Sequence, residues 1–235
     1  MVSVRDLGTL TAEAAPLVNP GEPLVVKGSY SIHRYEEWGV VTVESTGSLN
    51  IGPGGHLVAD SLFLEGNAVL IVRSGVIEIT PTSYRETAGI YGRCSWFELS
   101  SRSRVVIHGT DGGYDLPTSR GTSTGIDVVS SRTVILVASS IDIRAGDGFS
   151  SPETLTDSDL LGDAFAGGSA RLEIFNENLY DIMLVKNMHI DVHAGDGGKA
   201  PDGKPPPSGA DGAAKGLGGG YTRGGDVGGR VGSGG

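Results

Sequence analysis

From Pro23 onward the chain alternates in short phrases. Runs of aliphatic and β-branched residues, with polar residues between them, are broken by Gly, Pro, Asp or Ser. Val40 to Glu44 reads Val-Val-Thr-Val-Glu and Ser48 to Ile51 reads Ser-Leu-Asn-Ile. A period of two places alternate side chains on opposite faces of an extended strand. Strands are therefore predicted at Pro23 to Val26, Val40 to Glu44, Ser48 to Ile51, His56 to Val58, Ser61 to Leu64, Ala68 to Val72 and Val76 to Thr80. Further along they are predicted at Trp96 to Leu99, Val105 to His108, Ile126 to Val129, Thr133 to Val137, Ser140 to Arg144, Arg171 to Phe175, Asp181 to Val185 and His189 to His193. Helix signals are confined to two places. One is Arg5 to Leu17, where Thr11 caps a short turn before Pro16; the other is Thr156 to Phe165.

Two internal repeats organise these strands. Gly28-Ser-Tyr-Ser-Ile32, Gly47-Ser-Leu-Asn-Ile51 and Gly66-Asn-Ala-Val-Leu70 recur every 19 residues and put Ile32, Ile51 and Leu70 in register. The stretch from Val134 to Gly148 matches that from Met183 to Gly197 at an offset of 49, sharing Ile-Asp-aliphatic-x-Ala-Gly-Asp-Gly. The polar segment Phe149 to Gly168 between them reads as a lateral loop. Short strands joined by tight bends, without crossover helices, suit a chain coiling around one core. The expected fold is all-β: a single-stranded parallel β-helix, or solenoid, with a glycine-rich C-terminal tract. The expected organisation is an N-terminal cap over 1–20, the solenoid over 21–193 and a Pro/Gly-rich tail or packed loop over 194–235.

Over 21–193 the repeat pattern resembles the right-handed parallel β-helix group, which includes pectate-lyase-like enzymes and many adhesins and fibre proteins. The 19-residue phrases also resemble the bactofilin solenoid, a polymerising scaffold. The glycine-rich tract is similar to the packed polyglycine tracts of phage tail-tip adhesins, with shorter runs and no strict period. The resemblance implies adhesion, polymerisation or polysaccharide cleavage.

Composition narrows this. Glycine reaches 39 of 235 residues, and 17 of them fall between Gly195 and Gly235. That tract is too poor in apolar residues to bury a core of its own. The net charge of −10 argues against non-specific nucleic-acid binding, which needs a dense basic surface. The lone Cys94 excludes an intrachain disulfide and a cysteine-rich zinc site. No stretch has the length and apolarity to cross a bilayer, and the N-terminus carries no signal-like apolar segment, so no membrane insertion is expected. The compartment best suited to such a chain is extracellular, a cell surface or a virion.

Candidate chemistry is sparse. On a strand, His189, Asp191 and His193 share one face while Ile190 and Val192 turn inward. His-x-Asp-x-His could ligate a divalent metal; an ordinary solvated strand face is the expectation. Asp142 occupies the position matching Asp191 in the paired repeat, an arrangement that β-helix lyases and hydrolases use for calcium or acid–base work. Asp157 and Asp159, with Gly162, mimic the start of a calcium loop. Leu161 and Gly168 stand where its later oxygen ligands belong. No catalytic residue, metal site or cofactor is assigned, calcium being the one ion considered. Phosphate-loop, nucleophile-elbow and dinucleotide signatures are missing.

The functional expectation is a structural or adhesive surface protein. It would form a homo-oligomer or polymer through its ends and through Gly218, Gly219, Gly220, Tyr221, Val227 and Val231. A carbohydrate surface is the partner considered. The alternative is a polysaccharide lyase or hydrolase.

Overall fold

The computed structural model describes residues 16–82, 87–112, 121–148, 167–177 and 182–196, together with the backbone of two later strands. Every regular element among them is a β-strand, and the strands, numbered along the chain, fall into two parallel sheets. The first sheet has eight strands in the order β1 (Leu17–Val18), β4 (Tyr35–Glu37), β7 (His56–Ala59), β9 (Val76–Ile79), β11 (Arg104–His108), β13 (Ser140–Arg144), β16 (Met188–His193) and β18 (Val227–Gly232). The main path of the second runs β2 (Leu24–Val26), β5 (Val40–Val43), β8 (Ser61–Arg73), β10 (Thr87–Ser100), β12 (Ser123–Val137), β14 (Ala170–Asn176) and β17 (Ala214–Lys215). Three more strands widen it: β3 (Ser29–Ile32) pairs β6 (Ser48–Ile51), β6 pairs the far half of β8, and β15 (Ile182–Lys186) pairs the far half of β12.

The core lies between the sheets, and it follows directly from the period-two pattern. In the first sheet, Leu57, Ile77, Val105, Ile141 and Ile190 face one another strand to strand in one inward file. In the second, Val41, Leu62, Ile90, Ile126 and Leu172 form another, and Leu49, Leu70, Phe97 and Val134 a third. Nearly all of these side chains are fully buried, and each contributes about 1.5–3 kcal/mol through removal from water. Parallel strands covered on the inner face by like residues hold their register because a slip of one residue would turn each file outward.

The inward file of the first sheet has one charged member. Glu36 precedes Leu57 and is 4% exposed. It is satisfied by Tyr30 Oη at 2.8 Å and Trp38 Nε1 at 3.3 Å, with Arg34 Nε at 3.6 Å. Burial, followed by the hydrogen bond to Glu36, pushes the Tyr30 phenol up to about 12.

Several expectations are corrected. The single-stranded solenoid gives way to two parallel sheets, because the short strands of each repeat are shared out between them instead of forming one file. Ser61 to Leu64 and Ala68 to Val72 are one strand, and Trp96 to Leu99 is the end of a longer one beginning at Thr87. Ile126 to Val129 and Thr133 to Val137 likewise merge in β12. The Gly28 repeat holds for Ile32 facing Ile51, but Ile51 faces Val72 and Leu70 faces Leu49. The third phrase is thus displaced by the extra residues around Gly66, where φ is +58°. The 49-residue repeat is matched in the pairing: Val134 faces Met183 and Asp142 faces Asp191. Leu17, placed at the end of a helix, is in strand β1; the rest of that segment and Thr156 to Phe165 lie outside the described residues. Within the glycine-rich tract, β17 pairs β14 and β18 pairs β16.

Candidate functional site

Where the later strands of the first sheet end, the chain turns out through a corner built of backbone. Thr110, Thr122, Gly146, Gly168 and Gly195 lie side by side, joined in that order by N–H···O=C bonds of 2.8–3.0 Å. Thr110, Gly146 and Gly195 follow β11, β13 and β16, whereas Thr122 and Gly168 lead into β12 and β14. Outgoing and incoming segments therefore alternate in one layer. At Gly146, Gly168 and Gly195 the layer closes only without side chains, whereas Thr110 and Thr122 meet hydroxyl to hydroxyl at 2.7 Å. A Cβ on Gly146 would stand 1.9 Å from Thr110 O, and one on Gly195 1.9 Å from Gly146 O. Glycine is required here by close approach of backbone to backbone.

A ladder of carboxylates crosses the same corner. Asp147 donates its N–H to Asp111 Oδ1 at 2.9 Å, and Asp196 donates to Asp147 Oδ1 at 2.8 Å. Asp111 and Asp147 thus each accept from the backbone of the next rung, in line with His108, Arg144 and His193 at the strand ends. These residues line an open groove of about 670 Å³ with Gly109, Ala145 and Ala194. His108 Nε2 is buried and has no hydrogen-bond partner among the described residues.

The predicted site residues fall beside this groove. His189, Asp191 and His193 share the outer face of β16, opposite Ser140, Asp142 and Arg144. His193 Nε2 lies 2.7 Å from Asp191 Oδ1, without an aligned hydrogen bond. Arg144 Nε donates to Asp142 Oδ1 at 3.1 Å. Each carboxylate is met by the basic residue two positions along its own strand. Among the described residues no three His, Cys, Asp or Glu side chains come close enough to share a metal ion. Asp157, Asp159, Gly218, Gly219, Gly220 and Tyr221 lie outside the described residues. Val227 faces Met188 and Val231 faces Val192 across the β16–β18 pairing.

The Asp111–Asp147–Asp196 ladder was not foreseen. Its signal is the twice-occurring Ala-Gly-Asp-Gly, read from sequence as a repeat mark and not as a structural rung. Cys94 is buried, and that burial pushes its thiol up to about 11. A stronger pair lies on the second sheet, where Arg73 donates from Nε to Glu98 Oε1 at 2.6 Å and from Nη2 to Oε2 at 2.8 Å. That bond holds the Glu98 carboxyl below its usual range.

Comparison with known protein families, with curated proteins and with solved structures finds no match. The resemblance to the parallel β-helix group and to the bactofilin scaffold is corrected accordingly: no family model matches, and the strands form two parallel sheets. No helix among the described residues is long and apolar enough to cross a membrane.

Proposed function

We propose that the protein is a structural or adhesive surface module that associates with copies of itself through the ends of its sheet stack. One observation carries this reading. Of the five exposed large apolar side chains among the described residues, Val18 and Val25 lie on the first strands of the two sheets, and Ile182 and Leu184 lie on β15 near the other end. Strand edges at the ends of a stack leave backbone groups open to pairing, and apolar residues beside them add burial when another copy docks. The glycine-rich tract joins at this second end, since β18 continues the first sheet beyond β16. The corner groove supports the same reading: its backbone is locked by successive hydrogen bonds, which suits a fixed shape. The alternative, a polysaccharide lyase or hydrolase, requires carboxylates open to substrate, and Asp142 is paired with Arg144 while Asp191 has the His193 ring 2.7 Å away.

Sedimentation velocity of the full chain over a micromolar range tests the proposal. Dimers or larger species are expected, shifting towards monomer in Ile182→Glu with the β circular dichroism spectrum retained. A wild-type chain that sediments as a monomer throughout that range overturns it.

A further inference from the structure

The fifth exposed apolar side chain, Phe63, stands away from both ends, 40% exposed on the outer face of β8. Its neighbour across the pairing is Tyr91 on β10, with ring centroids 6.0 Å apart and the planes tilted by 36°. Tyr91 lies back along its own strand: its hydroxyl donates to Ala88 O at 2.8 Å and passes over Gly89, where a Cβ would meet it at 2.8 Å. The ring is thereby held back along its own strand, partly exposed beside Phe63. The same column continues across the pairing into Asp127 and then Glu173. Arg171 binds both carboxylates, reaching Asp127 Oδ2 with Nη1 at 3.3 Å and Glu173 with Nη2. Four adjacent strands spaced about 4.8 Å apart make this a flat column about 14 Å long, aromatic at one end and rich in fixed donors and acceptors at the other.

We infer that this column, Phe63–Tyr91–Asp127–Glu173 with Arg171, is a binding platform for a neutral polysaccharide. A sugar ring has an apolar C–H face that stacks on an aromatic face and a rim of hydroxyls that needs both donors and acceptors. The column presents those two surfaces in line on an open, flat sheet. A peptide adding to a sheet would need a free strand edge, and β8, β10 and β12 are paired on both sides here. An acidic polymer meets two carboxylates set against one guanidinium, on a chain of net charge −10, so the electrostatics favour an uncharged glycan. The inference rests on the adhesive reading above and names the class of surface to which the module attaches.

The test is affinity electrophoresis of the full chain through gels containing dextran, laminarin or galactomannan, with polygalacturonate as the acidic comparison. Retardation by at least one neutral polymer and none by polygalacturonate is expected. Phe63→Ala should weaken the retardation about tenfold. Gly28→Ala, outside the column and with nothing within 4 Å of the added Cβ, should leave it within about twofold, on the scale where one stacking contact spans tenfold. Lack of retardation by all three neutral polymers overturns the inference, as does retardation unchanged in a Phe63→Ala chain of native spectrum. A chain that assembles yet binds no neutral polymer sinks this platform alone and leaves the structural reading standing. Retention through Phe63 by a chain that stays monomeric upholds the platform and removes the assembly reading.

Discussion

The sheet core and the glycine corner solve one problem in opposite ways. Both stack successive passes of the chain through backbone hydrogen bonds. In the core, register is set by what the side chains fill: Leu57, Ile77, Val105, Ile141 and Ile190 lie in one file. At the corner it is set by what is missing, since Gly146 and Gly195 approach neighbouring carbonyl oxygens where a Cβ has no room. The core tolerates a change of aliphatic residue at the cost of a cavity. The corner tolerates no side chain at Gly146, Gly168 or Gly195. The corner is also where the spacing between paired residues changes, so that a ladder contact spans 36 residues at Asp111–Asp147 and 49 at Asp147–Asp196. Length varies outside the layer while the layer and the core keep their register.

The comparison is broken most severely by Gly146→Val. Its branched side chain would have to displace Thr110 O and the segment behind it, and chemical denaturation should show a loss of about 4 kcal/mol or more. Next comes Leu136→Ala in the core, where a buried residue leaves a void; the expected loss is about 3 kcal/mol, with the two-state transition kept. A smaller effect follows from pH. Tyr30 and Tyr91 are both pushed up from 10.0 to about 12, chiefly by burial. A raised phenol adds stability that is fully present below pH 10 and is lost as pH climbs from 10 to about 12. Glu98 works in the other direction: its depressed carboxyl adds stability above its ordinary value of 4.5, lost as pH falls through the lower value. Thermal melts should therefore show a plateau between these limits, and Tyr30→Phe should soften the alkaline fall. The smallest effect is expected at Gly28→Ala. Nothing lies within 4 Å of that added Cβ, so the unfolding free energy should change by less than about 0.5 kcal/mol in either direction.

Much of the core was legible because alternation is a direct image of a half-buried strand. Ser48–Ile51 and Ser140–Arg144 were placed with the observed bounds, and the 49-residue repeat matches the observed register. The losses have physical causes. Glu65, Gly66 and Asn67 read as a break, yet the backbone runs through them in β8. Thr87 to Cys94 was missed because Gly89 and Gly92 interrupt its pattern, and its register against β8 shifts between Gly92 and Cys94. Tyr35 to Glu37 was missed because the inward position is a carboxylate, Glu36, made tolerable by Tyr30 and Trp38. That compensation depends on a contact no periodicity reveals. The corner was visible as Ala-Gly-Asp-Gly written twice, but its layer was not. Glycine announces freedom in a sequence, and only the neighbouring backbone shows that the need is for space.

Amide hydrogen exchange on the full chain tests most directly whether the corner is a locked backbone layer. The N–H groups of Thr122, Gly146, Gly168 and Gly195 each donate to the adjoining segment. Their protection is predicted to lie within about tenfold of that of Val105 and Ile141 in the core strands. Exchange of these four amides at the rate of an unstructured chain, with the core strands still protected, would contradict the account.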